Sequence, residues 1–69
     1  MNLIWEDGAE IRVAVAGGSA VISANREGLL SLAIHLMSLA EETPGSHIHY
    51  DDQNSLEDGS AELVIEKTA

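Results

Sequence analysis

The spacing of apolar residues changes along this chain, and each change marks a boundary between a strand and a helix. Apolar residues alternate over residues 10–16, recur every three to four positions over residues 27–42, and alternate again over residues 46–51 and 61–67. A two-residue period is typical of a half-buried strand, and a 3.6-residue period is typical of an amphipathic helix. With 69 residues the chain holds one small domain at most, so these elements must share a single core.

The first 24 residues predict three short strands. Residues 3–6 are mainly apolar, and the pair Asp7-Gly8 that follows is a strong hairpin signal because both turn positions need positive φ. Residues 10–16 and 19–24 read as two further strands joined by a turn at Gly17-Gly18. We therefore expect a three-stranded meander ahead of the helix.

The helix is predicted over about residues 26–42. Asn25 is a good N-cap because its side-chain oxygen accepts a hydrogen bond from the first turn, and Pro44 ends the helix by disfavouring α geometry at Thr43. The apolar stripe predicts which face is buried, namely Leu29, Leu32, Ala33, Leu36, Met37 and Ala40. The opposite face, which we expect in solvent, carries Ser31, His35, Ser38 and Glu42.

The predicted fold class is α+β, with the element order βββαββ. The strands at residues 46–51 and 61–67 pair through a polar connection at residues 52–59. One helix packed on one face of a mainly antiparallel sheet of four to five strands buries these stripes most simply. The expected core is Leu29, Leu32, Ala33, Leu36, Ile48, Leu63 and Ile65, with Val13 or Val15 from the meander.

The charge balance excludes some partners and favours others. Twelve acids stand against three Lys and Arg, for a net charge of −9, so the cations that bind nucleic acid or an anionic membrane are missing. Eight of the acids lie between Glu41 and Glu66, where there is no Lys or Arg. This concentration predicts a surface complementary to a basic protein, although acids also serve solubility.

The predicted partner-binding residues come from this acidic second half. They are Glu41, Glu42, His47, His49, Asp51, Asp52, Glu57 and Asp58. We expect neither catalytic residues nor a cofactor. Free sheet edges and an uncovered face carrying Ala14 and Val64 also leave a homodimer open. The lack of cysteine, of a basic leader and of an 18-residue apolar run predicts a cytoplasmic protein.

An alternative function uses the polar face of the strand at residues 46–51. His47 and His49 lie on the same side of it, about 7 Å apart, and Asp51 continues that side. Two imidazoles and a carboxylate are a ligand set for Zn²⁺ or Fe²⁺. The alternative is therefore a small metal-binding protein or a metal-dependent enzyme.

Three segments of the second half resemble a known family. They are NREGLLSLA at residues 25–33 with its continuation through Leu36 and Leu39-Ala40, PGSHIHYD at residues 44–51, and LEDGSAELVI at residues 56–65. This pattern is similar to immunity protein family thirty-two of bacterial polymorphic toxin systems, over about residues 23–66. The resemblance implies a non-catalytic protein that binds a cognate toxin. It marks His47, His49, Asp51, Gly59 and Glu62 as motif positions without fixing their roles.

Overall fold

A computed structural model describes residue 1 and residues 3–69 of the chain. The described residues form β1 (Ile11–Ala16), β2 (Ser19–Ala24), α1 (Arg26–Ala40), β3 (His47–Tyr50) and β4 (Leu63–Glu66). Antiparallel pairing joins β1 to β2 and β3 to β4, giving two separate two-stranded sheets. The α+β class is confirmed, whereas the single sheet and the order βββαββ are wrong. No helix within the described residues combines the length and apolarity needed to cross a bilayer.

The strand predicted at residues 3–6 does not form, although the turn that follows it does. The backbone N–H of Ala9 donates to the carbonyl of Glu6 at 3.2 Å, and Gly8 has a φ of 81°. The preceding segment bonds to helix side chains. The N–H of Glu6 donates to Ser31 Oγ at 2.9 Å, and the carbonyl of Ile4 lies 2.8 Å from His35 Nε2. These contacts draw residues 3–6 onto α1 rather than onto β1.

Asn25 joins the helix start to the end of the segment before β1. Its Oδ1 accepts from the N–H of Gly28 at 2.8 Å and from the N–H of Glu10 at 3.0 Å, so the predicted N-cap is confirmed. The first turn of the helix, at Gly28, then passes close to the backbone of Glu10. A Cβ on Gly28 would lie 2.6 Å from the carbonyl oxygen of Glu10, which explains why this helical position is a glycine.

The face of α1 that packs on the core differs from the predicted one. Its buried residues are Gly28, Ser31, Leu32, His35 and Leu39. Leu29, Leu36 and Met37 are 54%, 46% and 72% exposed, and Ala33 and Ala40 are also exposed. Two polar side chains, Ser31 and His35, thus lie where the apolar stripe was expected. Their burial is tolerated because each has hydrogen-bond partners from outside the helix.

The core lies between α1 and the two hairpins. Buried side chains come from β1, α1, β3 and the loop before β4, namely Ile11, Val13, Leu32, Leu39, Ile48, Tyr50 and Leu56. Leu63 and Ile65 are partly buried against this cluster, as their alternation predicts, while Val15 is 65% exposed. The predicted burial of Leu29, Ala33 and Leu36 is therefore wrong.

Residues 57–61 connect the two hairpins. The N–H of Glu57 donates to the carbonyl of Ile11, and the N–H of Ala61 donates to the carbonyl of Val13, both at 2.8 Å. Between them, Ser60 Oγ accepts from the N–H of Val13 at 3.1 Å. The segment thereby occupies the edge of β1 that β2 leaves free, so that this edge is not exposed for pairing with another chain.

Candidate acidic binding surface

The loop at residues 51–59, called the acidic loop below, carries four of the predicted site residues. It begins at Asp51, whose carbonyl accepts from the N–H of Ser55 at 3.1 Å and from that of Leu56 at 2.8 Å. The Asp51 carboxylate accepts from the N–H of Gln53 at 2.9 Å. Asp51 therefore shapes the loop and directs Leu56 into the core, where it is 7% exposed.

The far half of the acidic loop is held by Asp52 and by β1. Oδ2 of Asp52 accepts from the N–H of Gly59 at 3.3 Å, which ties the two ends of the loop together. Gly59 has a φ of 82°, a conformation that other residues rarely adopt. Arg12 on β1 donates from Nη1 to the carbonyl of Asp58 at 2.8 Å. Hydrogen bonds to backbone groups and to a side-chain carboxylate thus hold this half of the loop.

The acidic side chains of the loop differ in how far they are exposed to solvent. Asp58 is exposed, and Asp51, Asp52 and Glu57 are half-buried. Glu57 also borders an open depression of about 450 Å³, whose lining includes Glu10 and Arg12. The guanidinium of Arg12 bonds to a backbone carbonyl rather than to a carboxylate. This hydrogen bond of Arg12 therefore leaves the carboxylate of Asp58 outside it.

The acids at the end of α1 form a separate group. Glu41 is the exposed C-cap residue, and Glu42 is half-buried beside it. Lys67, which follows β4, donates from Nζ to the carbonyls of Ala40 and Glu42, each at 2.8 Å. A cation distant in sequence thus compensates the negative end of the helix, where its own last turn has no basic residue.

The two acidic groups lie at opposite ends of the β3–β4 hairpin. Lys67 and Ser46 are hydrogen-bonded at the end nearest Glu42, whereas the acidic loop starts after Tyr50 at the other end. Four residues of β3 separate these ends, which corresponds to about 14 Å along the strand. The predicted partner-binding residues are therefore not one continuous patch.

The two strand histidines share an exposed face, but Asp51 does not join them. The rings of His47 and His49 are 5.0 Å apart in an edge-to-face arrangement, and His49 Nδ1 lies 3.5 Å from the carboxylate of Glu62. The carboxylate of Asp51 is instead bonded to the loop backbone. The described part of the chain contains no group of three or more His, Cys, Asp or Glu suited to a metal ion. His47, His49 and Asp51 are therefore not brought together as metal ligands, and the predicted metal site is wrong.

His35, which we predicted at the surface, is fully buried. Nε2 of its ring donates to the carbonyl of Ile4, because a carbonyl oxygen can only accept. In the neutral ring Nδ1 then accepts the hydroxyl proton of Tyr50, at 2.8 Å. The ring of Trp5 packs edge-on against the imidazole, with centroids 4.5 Å apart.

This buried contact is structural in character. Burial raises the pKa of Tyr50 from 10.0 to about 12, so its hydroxyl stays protonated and keeps donating to His35. Both imidazole nitrogens of His35 are occupied by protein groups, which leaves neither free to act on a ligand. The sequence offered one indirect signal: Trp5 and Tyr50 are its only aromatic residues, and both lie against this histidine.

A comparison with family models matches residues 19–68 to Immunity protein 32. The match spans more than half of the chain. The chain belongs to this immunity protein family. No curated protein and no solved structure matches it.

The part of the chain that matches Immunity protein 32 includes β2, α1, β3 and β4, together with the whole acidic loop. It leaves out β1 and the segment before it. Ile11 and Val13 of β1 nevertheless supply buried core, and Ile4 and Glu6 hold the buried face of α1. The family segment therefore depends on the first 18 residues for its packing in this immunity protein.

Proposed function

We propose that this immunity protein neutralises a cognate bacterial toxin by binding a basic surface of the toxin to the acidic loop, without catalysing a reaction. The observation that carries the proposal is the set of hydrogen bonds that holds the loop in one conformation. The loop backbone bonds to itself through Asp51 and Asp52 and to β1 through Glu57 and Asp58. A loop that is already ordered loses little conformational entropy on binding, so more of the contact energy appears as affinity.

The charge of the protein supports the same partner. A net charge of −9 attracts a basic toxin from a distance and accelerates encounter. Toxins that act on nucleic acid carry cations for phosphate contacts, and an acidic surface competes for those cations. Covering such a surface requires no chemistry from the inhibitor. We place this interaction in the bacterial cytoplasm, consistent with a chain that has no cysteine.

The predicted residues outside the acidic loop, together with the motif residue Glu62, form the flanks of this surface in the proposal. His47, His49 and Glu62 lie on the exposed side of the β3–β4 hairpin, which adjoins the acidic loop. Glu41 and Glu42 lie at the far end of the hairpin. We assign the main contact to Glu57 and Asp58 and peripheral contacts to these flanking side chains.

The experiment measures binding to the toxin encoded next to the immunity gene. Asp58→Asn removes an exposed charge from the acidic loop, and Glu66→Gln removes an exposed charge from β4 as a control with the same change in net charge. We expect Asp58→Asn to slow association about threefold or more and Glu66→Gln to change it little, because local charge steers docking. Equal effects of both substitutions would contradict the assignment to the acidic loop.

Salt provides the second arm of the experiment. Raising ionic strength screens interactions between exposed charges beyond about 8 Å. The association rate of the wild-type protein should therefore fall with salt while its dissociation rate changes less. An association rate that is independent of salt would rule out an electrostatic surface as the basis of toxin recognition.

A further inference from the structure

The outer face of α1 is apolar, although it faces solvent. The helix has no Asp, Glu, Lys or Arg from Gly28 to Ala40. Leu29, Leu36 and Met37 on this face are 54%, 46% and 72% exposed, and Leu30 is 37% exposed. An exposed apolar face of this size on a small protein is normally covered by a partner. The face therefore indicates a contact with another macromolecule.

Four of the exposed residues have the spacing of a helix–helix interface. Leu29, Ala33, Leu36 and Ala40 are separated by four, three and four positions, and we call this set the seam. Such spacing is that of the a and d positions of a coiled coil, and the four residues fall within about 60° of one another around the helix. Large and small side chains alternate along the seam.

This alternation is complementary to itself in the antiparallel direction. A two-fold axis between Ala33 and Leu36 sets Leu29 opposite the partner's Ala40, and Leu36 opposite the partner's Ala33. Each leucine then fills the space beside an alanine, and two helices approach closely. We propose that a second copy of this chain covers the seam, so that the protein forms an antiparallel two-fold dimer through α1. This proposal is independent of the toxin contact.

The charges at the ends of α1 also favour an antiparallel partner. Arg26 lies in the first turn and Glu41 caps the last, so each is on the unfavourable end of the helix dipole. The side chain of Arg26 is 78% exposed and lies 3.4 Å from Glu27. In the antiparallel dimer the two ends meet, and Arg26 lies beside the partner's Glu41. Two such pairs form by symmetry, and the helix dipoles oppose one another.

The exposed apolar area of the outer face of α1 limits the strength of the dimer. The four larger exposed side chains of the outer face amount to about 400 Å² in each copy, which is as large as the main apolar patch of a typical monomer. Two copies thus bury at most about 800 Å² of apolar surface before the charged ends are added, which is the size of a weak interface. We expect a dissociation constant of roughly 10–100 μM.

The first test is sedimentation of the purified full chain over a range of concentrations. The wild-type protein should shift from monomer to dimer, whereas Leu36→Gln should remain monomeric at concentrations at which the wild-type protein is dimeric. Val64→Gln is the matched control, because Val64 is 47% exposed on β4, away from the seam. A monomeric wild-type protein at about 1 mM, which is about tenfold above the upper end of that range, would overturn the proposal. Loss of the dimer in Val64→Gln but not in Leu36→Gln would also overturn it.

The second test exchanges the charges and does not touch the apolar face. Arg26→Glu alone and Glu41→Arg alone should each weaken the dimer about tenfold, because each change turns two attractions into two repulsions. The double variant Arg26→Glu/Glu41→Arg should restore the wild-type dissociation constant. Failure to restore it would exclude the antiparallel arrangement. A chain that stays monomeric, and whose Leu36→Gln variant loses only toxin binding, would assign the seam to the toxin and overturn the dimer.

Discussion

Removing the hydroxyl of Tyr50 tests the buried contact that joins β3 to α1. The hydroxyl lies 2.8 Å from Nδ1 of His35, and both side chains are 0% exposed. Tyr50→Phe keeps the aromatic ring and its packing, so the substitution removes the hydrogen bond without opening a cavity for a whole side chain. It leaves Nδ1 of His35 buried without a donor.

The expected loss of stability follows from that unpaired nitrogen. A neutral hydrogen bond contributes about 0.5–1.5 kcal/mol, and leaving its buried partner unsatisfied raises the cost to about 1–3 kcal/mol. A domain of this length has a free energy of unfolding of about 3–10 kcal/mol. We therefore expect Tyr50→Phe to remove a third or so of the stability while the native fold persists.

Urea unfolding followed by tryptophan fluorescence measures this loss directly. Trp5 is the only tryptophan, and its ring centroid is 4.5 Å from that of His35. With a slope of about 1 kcal/mol per molar urea, the midpoint should fall by about 1–3 M. If the midpoint decreases by less than about 0.3 M and the slope is unchanged, the hydrogen bond does not contribute measurably to stability.

A double-mutant cycle isolates the contact between the two side chains. His35→Phe removes Nδ1 and also leaves the carbonyl of Ile4 without its donor, so it is expected to be destabilising by itself. In His35→Phe, the further change Tyr50→Phe leaves no imidazole nitrogen unpaired. The two changes should therefore be non-additive by about 1 kcal/mol. Additive effects would mean that Tyr50 and His35 act independently.

Three further predictions concern the titration and the packing of the same core. Tyr50 is the only tyrosine, and its pKa of about 12 in the folded protein exceeds the ordinary 10.0. Because the folded state favours the neutral hydroxyl, Tyr50 contributes about 2–3 kcal/mol of stability below pH 10. This contribution is lost as pH rises through 12. Tyrosinate absorbance should report a midpoint near 10 only in denaturant. Gly28→Ala should destabilise the protein by about 1–3 kcal/mol in thermal unfolding, because the added Cβ meets the backbone of Glu10; a gain in melting temperature would contradict that close approach. In urea unfolding of the monomer, Leu39→Ala should lower the free energy of unfolding by about 2–5 kcal/mol and Leu36→Ala by less than about 1 kcal/mol. The reason is that Leu39 is 4% exposed and Leu36 is 46% exposed. The reverse order would refute the observed buried face of α1.

Features stabilised by neighbouring residues were predictable from the sequence. Asn25 caps α1 through a residue three positions ahead, and Gly17 and Gly18 form the predicted turn with φ values of 57° and 81°. Alternation along β3 correctly predicted that Ile48 is buried. In each case the relevant interaction lies within the element or at its end. Local patterns are therefore sufficient to identify it.

The candidate site was predictable in composition but not in arrangement. The sequence shows that eight of the twelve acids lie in the second half, which contains β3 and β4. The sequence did not reveal that Asp51 and Asp52 use their carboxylates to fix the loop backbone. Nor did it reveal that Arg12, 46 residues away, would bond to the carbonyl of Asp58. The first two contacts depend on the fold of the loop itself, and the third depends on how the loop meets β1.

The sequence by itself determined the helix, four of the five predicted strands, the positions of most turns, and the excess of negative charge. Tertiary structure alone decided which face of α1 is buried. Ser31 and His35 are polar, and their burial depends on Glu6 and Ile4, which are 25 and 31 residues away. A buried polar group is stable only when such a partner is in place, and helical periodicity contains no information about distant partners. For the same reason, only the folded chain brings Lys67 to the end of α1 and leaves the seam exposed.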